Sequence, residues 1–349
     1  MSVLITLLGF LVTIGFIILI HEGGHFLAAK LARMWVHELS LGFGPPLIRF
    51  RIKETQYSLR LFPIGGYVRI AGEEPGAEED AAVPEERKFY ARPPLARLGM
   101  VLAGPVSNLI TAFLIMSFVV GLVGIPYLEV YQFSEGSPAA QVLQVGDRVV
   151  AVEGRLLYFI TQLQRAVQQK GERGEPVRLT VVRGGEVLKV QVRPRLEGER
   201  YLLGIYFIGS SATHRVPFPL NLVTGAVWMK EVIVAQYLGF KAILTGEVPP
   251  GEALAGPVGI ASLVGQSLSQ GLLPFFTLLA LLSLVIGLIN LFPFPALDGS
   301  RVIFILYELI RGRPIPPERE GLVHYIGFVI LMGLLLLITY NDILRLIRR

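Results

Sequence analysis

Four long apolar runs decide what this chain can be. Val3 to Ile20, Leu98 to Ile125, Leu272 to Asn290 and Leu322 to Tyr340 contain no Asp, Glu, Lys or Arg. Each is long enough to cross a hydrocarbon core of about 30 Å at about 1.5 Å per helical residue. With 52% hydrophobic residues and a mean hydropathy of +0.58, the 349-residue chain is too apolar for a soluble domain. The first run lacks a basic leader and a small-residue cleavage site, so it reads as a retained span rather than a signal peptide. The expected membrane elements are residues 1–33, 98–125, 272–300 and 322–342.

Charge falls between the runs. Residues 34–97 carry many Lys and Arg, and residues 301–321 carry Arg301, Arg311, Arg313 and Arg319. In a four-span chain these two loops share a side, which the positive-inside rule places in the cytoplasm. The middle of the chain and both ends then face outward, although Arg345, Arg348 and Arg349 point the other way. The formal charge of +5 therefore fits loops facing anionic lipid. No basic-aromatic module suggests nucleic acid.

In the first loop, Tyr57, Leu59 and Leu61 alternate with polar residues, and Pro63 to Gly66 offer turn chemistry. Residues 57–70 thus read as a β-hairpin. Gly72 to Arg87 is acidic and rich in Pro and Ala, and reads as a mobile surface loop. Residues 127–207 alternate short β-branched strands, Gly turns and one helical stretch, which makes a small α+β domain. Residues 217–246 are apolar with isolated Lys and Glu, and read as an amphipathic helix on the membrane surface.

The chemistry begins at "HEGGH". His21 and His25, four apart on a helix, share one face. Both can reach one zinc ion at about 2.0–2.1 Å. Glu22 is turned to act as general base, the arrangement found in zinc peptidases. Gly23 and Gly24 are poor helix formers, which suggests close approach of another backbone. The alternative is two interfacial histidines beside a snorkelling Glu22.

A catalytic zinc needs a third protein ligand. The chain has no cysteine, five histidines and few aspartates. His37, His214 and His324 are available, but Asp298 is preferred. It is the sole acid between Glu252 and Glu308, just past Pro293 and Pro295, which stop the third helix. Broken backbone at membrane depth needs protein or a wet cavity around it. The alternative is that Asp298 only N-caps a helix from Arg301 to Ile310.

Together these motifs resemble the site-2 proteases, zinc metalloproteases that cut within the membrane. The motifs are His21-Glu22-x-x-His25, "LAGPVSN" (Leu102 to Asn108) and "NLFPFPALDG" (Asn290 to Gly299). A single domain between spans two and three is similar to the bacterial RseP branch, as is "GEALAGPVGIA" before span three. "EGSPAAQVLQVGDRVVAVEG" and "YLLGIYF" resemble a permuted PDZ domain. The implied fold is a polytopic α-helical membrane protein with four transmembrane helices, a membrane-associated β-hairpin and an inserted α+β PDZ-like domain.

The resemblance implies Zn²⁺ held by His21, His25 and Asp298 on the cytoplasmic side, with Glu22 as base. It implies that Asn290 holds the substrate backbone and Asn108 supports the oxyanion. The hairpin, through Tyr57, Leu59, Leu61, Gly65 and Gly66, would take the substrate as an added strand. Implied partners are the lipid bilayer and single-span membrane proteins such as anti-sigma factors or signal-peptide remnants. The PDZ-like domain, outside the bacterial cytoplasmic membrane, would bind a substrate C-terminus or exclude bulky substrates. Two rival readings stand beside this one. A metal transporter would use repeated broken-helix elements, and none is seen. A dead scaffold would be free to lose the His, Glu and Asp set.

Overall fold

The computed structural model describes residues 3–73, 77–157, 160–214, 216–249 and 255–347. Part of the acidic loop (74–76) and of "GEALAGPVGIA" (251–254) therefore lies outside the described residues. The chain forms two compact units, residues 1–115 with 237–349, and residues 116–236.

In the first unit, helix α1 (Val3–Leu31) runs unbroken through both histidines. Its buried residues include Phe10, Thr13, Ile17, His21, His25 and Ala29, a stripe at helical spacing. The rest of its surface keeps Leu4, Leu8, Val12 and Leu19 exposed, as a lipid-facing helix must. α2 (Pro94–Val123) crosses α1 where Gly24 has no room for a side chain, since a Cβ there would lie 2.4 Å from Ala103 O. Gly23 meets nothing, so only the second glycine is needed for close helix packing. α5 (Pro257–Gln270) covers the other end of α1, where Gly9 faces Leu268 and Gly265 faces Thr6. The carboxylate of Asp342, in the last helix of the chain, accepts the Gly259 N–H of α5 at 2.8 Å.

α6 (Leu272–Asn290) ends ahead of Pro293 and Pro295, and the chain turns through Ala296 with φ 74°. A separate helix α7 (Asp298–Arg311) follows, where a loop is expected beyond residue 300. α8 (Pro317–Ile347) is the least covered of the long helices. α1, α2, α6 and the Glu318–Arg345 part of α8 are long and apolar enough to cross a membrane.

The hairpin differs from its expected bounds. Two long strands form, β1 (Val36–Ile52) and β2 (Thr55–Ile70), with the turn at Lys53 and Glu54. Pro63 to Gly66 do not make the turn. Each strand bends on itself, so that Leu39 pairs with both Tyr57 and Val68. Residues 36–41 thus lie between the two halves of β2. Buried Glu38 pins this arrangement. Arg60 donates to it at 2.7 Å, and Ser58 and Arg69 also reach it. Burial pushes the Glu38 carboxyl up, but Ser58, Arg60 and Tyr67 hold it below its usual range.

The acidic segment is also more ordered than expected over 77–87. His37 Nε2 lies 2.7 Å from Asp80, which also accepts the Gly72 N–H at 2.6 Å. A small core of Ala29, Met34, Val36, Ile70, Met100, Val101 and Ile305 joins α1, the sheet, α2 and α7. Full burial of each larger side chain stabilises by roughly 1.5–3 kcal/mol.

In the second unit a mixed-length sheet runs in the order β10-β3-β4-β6-β7. Its strands are β3 (Ile125–Phe133), β4 (Arg148–Val152), β6 (Val177–Arg183), β7 (Glu186–Val192) and β10 (Ile205–His214), with β5 (Arg155–Leu156) beside β4. β8 (Arg195–Glu197) and β9 (Arg200–Leu202) pair separately. Leu163 and Val167 of α3 (Ile160–Glu172) close a core with Val149, Leu179 and Val181. An α+β arrangement is expected over 127–207; the strands of this sheet run from Ile125 to His214. α4 (Leu220–Leu244) forms where a surface helix is expected, but the one-sided apolar stripe is absent. Exposed Leu220, Val223, Ile233, Tyr237 and Leu238 share one side of it, but apolar Trp228 is buried on the opposite side. Its Glu231 accepts from Thr161 at 2.8 Å and Arg165 at 2.6 Å on α3.

Candidate metal centre

Three donor atoms from two distant segments meet in the first unit. Asp298 Oδ2 lies 3.1 Å from His21 Nε2 and 3.4 Å from His25 Nε2, and the two Nε2 atoms are 3.2 Å apart. Three ligands on a tetrahedral zinc at about 2.0–2.1 Å would be about 3.3 Å from one another. The triangle therefore has the edge lengths such an ion imposes. Asp298 Oδ2 is buried and makes no hydrogen bond, an expensive state for a carboxylate oxygen unless a cation takes it. Among the described residues this is the sole group of three His, Asp or Glu side chains so arranged.

Each ligand is placed by identifiable local causes. His25 Nδ1 lies 2.9 Å from Met100 O. A carbonyl only accepts, so Nδ1 carries the proton and Nε2 keeps its lone pair. Gly104 lets α2 come this close, because a Cβ there would fall 2.2 Å from His25 Nε2. Asp298 is the first residue of α7, after Leu297 at the cap position, and its Oδ2 accepts no hydrogen bond. The capping alternative thus does not describe it. Gly299 must be glycine, since a Cβ would meet Phe292 O at 2.3 Å and Leu291 O at 2.4 Å. Gly327 of α8 similarly makes room for Pro295.

A cavity of about 240 Å³ opens beside the triangle. Glu22 lines it, with Gly66, Tyr67 and Val68 from the outer half of β2. Gly66 lies against α1, where a Cβ would be 3.1 Å from Glu22 Cγ and 2.9 Å from Ser40 O. Gly65 has φ +106° and packs on the Phe43 ring. The Tyr67 hydroxyl is pushed above its usual range by burial and then by the Glu38 carboxylate. Arg301 and Glu73, paired with each other, line the far side.

Other expected residues fall elsewhere. Tyr57 stacks on Phe50 at 5.3 Å, Leu59 pairs with Ile48 and Leu41, and Leu61 is exposed. None of the three lines the cavity; the late half of β2 does so instead. Asn290 Nδ2 donates to Ile286 O at 3.1 Å within its own helix. Asn108 is fully buried, with Nδ2 3.4 Å from His21 Nδ1. Of the other histidines, His37 is held by Asp80, and the side chain of His214 is outside the described ones. His324 lines the cavity but accepts the Ala296 N–H at 3.2 Å and is no part of the triangle. Sequence reasoning did not find Met100 O, Gly104, Glu73 or Arg301. For Gly104 the signal was there, in the small residues of "LAGPVSN".

The chain matches the family described as Peptidase family M50 over residues 9–334. A candidate zinc metalloprotease from Clostridium acetobutylicum is 32% identical over 347 residues, covering 98% of this chain and 97% of its own. The regulator of sigma-W protease RasP from Bacillus subtilis is 28% identical over 419 residues, with 98% and 99% covered. Zinc metalloprotease RasP from Geobacillus kaustophilus is 28% identical over 424 residues, with 97% of each chain covered. Among solved structures, the PDZ domain of an SdrC-like protein from Listeria monocytogenes aligns with 24% of this chain and 88% of its own, at 18% identity and a TM-score of 0.22.

Proposed function

The chain belongs to peptidase family M50 and is a zinc metalloprotease, and from that premise we propose that it cuts peptide bonds inside the transmembrane segments of other membrane proteins. The observation that carries the reading is the triangle of His21 Nε2, His25 Nε2 and Asp298 Oδ2, with edges of 3.1, 3.2 and 3.4 Å. These three residues would hold the zinc. When bound, zinc supplies Lewis acidity toward water and the scissile carbonyl.

Glu22 is the remaining acid of the cavity wall on α1. Its carboxylate takes the proton of the attacking water and returns it to the leaving amine. A helical substrate hides its carbonyls in its own hydrogen bonds, so it must unwind before attack. The outer half of β2 offers the compensation. Residues 66–70 pair with β1 on one side, and the strand lies against α1 beside Glu22. A substrate added there as a strand would regain backbone partners in a place poor in water. In this reading the sheet rests at a bacterial inner membrane, and the basic loops support a cytoplasmic zinc side. The PDZ-like unit selects substrates, by binding an exposed C-terminus or by excluding bulky outer domains. Anti-sigma factors and signal-peptide remnants are the substrate classes of this reading.

The test is reconstitution of the full chain in liposomes with a panel of single-span peptides, with products located by mass spectrometry. Wild-type protein should cut within the apolar segment. Glu22→Gln should hold zinc stoichiometrically and lose at least about 10²-fold in rate, the usual range for a general base. Zinc-loaded wild type that cuts none of the panel, or Glu22→Gln that cuts at the same rate, sinks the proposal. A metal transporter would tolerate Glu22→Gln.

A further inference from the structure

His25 has its second nitrogen fixed by Met100 O; the corresponding nitrogen of His21 meets a side chain. Asn108 Nδ2 stands 3.4 Å from His21 Nδ1, and Asn108 is wholly buried. Taken as oriented, the amide N–H would donate to Nδ1. Nδ1 would then need its lone pair, and the ring proton would sit on Nε2. That is the atom 3.1 Å from Asp298 and 3.2 Å from His25 Nε2. A protonated Nε2 cannot coordinate a metal, so this orientation contradicts the triangle it sits beside.

Amide oxygen and nitrogen are interchangeable in shape, and their assignment follows from the partners. Asn108 Oδ1 is buried without a partner. Either orientation leaves one amide atom unmatched among the described residues, so His21 decides the choice. With the amide turned over, Oδ1 accepts the His21 Nδ1–H and Nε2 is freed as a ligand. We propose that Asn108 is the positioning residue for His21, doing through its side-chain oxygen what Met100 O does for His25. The proposal rests on the zinc reading above.

The packing fits this role better than one in contact with substrate. Asn108 is held from behind by α6. Ser283 Oγ donates to Asn108 O at 2.9 Å, and a Cβ on Gly287 would come within 3.2 Å of Asn108 Cβ. The residue is pressed towards α1 and is not among those that line the cavity. This departs from the oxyanion role that the family resemblance implies.

The experiment measures Zn²⁺ affinity of the full chain in detergent micelles, by competition with a chromophoric chelator. Outer partners of metal-bound histidines typically contribute 10–100-fold in affinity. Asn108→Leu should weaken zinc by about that factor. Asn108→Asp keeps an acceptor and should stay within about threefold of wild type or bind more tightly, since a carboxylate accepts more strongly. Asn108→Leu at wild-type affinity, or Asn108→Asp as weak as Asn108→Leu, overturns the proposal. His21→Ala separates the two readings. If it loses zinc while Asn108→Leu does not, the positioning role alone falls; if neither changes affinity, the zinc reading falls with it. Should Asn108→Leu not fold, ¹⁵N-histidine spectra of the zinc-loaded wild type and Asn108→Asp decide. The His21 Nδ1–H signal should move downfield in the carboxylate variant, and an unmoved signal overturns the proposal.

Discussion

Gly104 sits in the interior of α2, where helix propensity alone would favour alanine by about 1 kcal/mol. Yet a methyl group there would fall 2.2 Å from His25 Nε2 and 2.5 Å from its Cε1. The ring would have to swing off the line joining Met100 O to the triangle. Gly104→Ala should therefore separate fold from site. The full chain should melt no lower than wild type, while zinc affinity falls at least about 10-fold, as it does when a histidine loses its orientation. Chelator competition beside a thermal melt reads both quantities. A variant that binds zinc as wild type does would mean that His25 tolerates another rotamer. The same scale explains what could be read from residues alone. The i, i+4 pair of histidines and the isolated Asp298 announce themselves by type and spacing. The carbonyl of Met100 cannot, because every residue has one.

One ion pair joins two elements that border the site. Asp298 opens α7, and Arg301, one turn on, pairs with Glu73 just past β2. Both charges border the zinc-side cavity and a second one of about 380 Å³. The pair ties the helix that carries a ligand to the strand edge that would seat substrate. Arg301→Met should leave zinc affinity within about threefold while lowering kcat/KM about 10-fold, the order of a lost, partly buried charge-assisted bond. Glu73→Gln should do the same, and the double variant should be no worse than either, since coupled partners are not additive. Fully additive losses in reconstituted kinetics would deny the coupling. The elements also show where sequence reasoning misplaced structure. "PIGG" has turn chemistry, so the turn is expected there, while the two prolines of "GFGPPLIRF" disfavour strand pairing. Pairing with residues 36–41 outweighs local turn preference at Gly65 and Gly66. Pro45 and Pro46 are tolerated because they fall at the bend of β1, where the register shifts between Phe43 and Pro46. The spans had no such rival signal, and each apolar run coincides with a long apolar helix, although the third helix stops at Asn290 and not at the expected residue 300.

At the scale of the whole chain, every residue of the triangle and its cavity belongs to the first unit, and the sheet of β3 to β10 belongs to the second. The chemistry should therefore be separable from the second unit, and Asp147 offers the handle. It is 1% exposed, and Arg183 donates to both of its oxygens at 2.7 Å while Gln144 N–H adds a bond of 2.8 Å. Burial alone would raise its carboxyl, but Arg183 and the Gln144 N–H outweigh it and hold the group below the usual aspartate range. A depressed folded value gives stability that is complete above the unfolded value of about 3.9 and is lost as pH falls through the folded one. Asp147→Ala should thus weaken protection of β4 and β6 in hydrogen–deuterium exchange of the full chain at pH 7. After correction for intrinsic rates, the difference from wild type should stay constant down to about pH 5 and narrow below about pH 4. Zinc should remain stoichiometric, and a short single-span peptide lacking any outer domain should be cut at the wild-type rate. A difference that ignores pH would mean the carboxylate–guanidinium pair is not what Asp147 contributes. Loss of zinc would mean the second unit reaches into the chemistry after all.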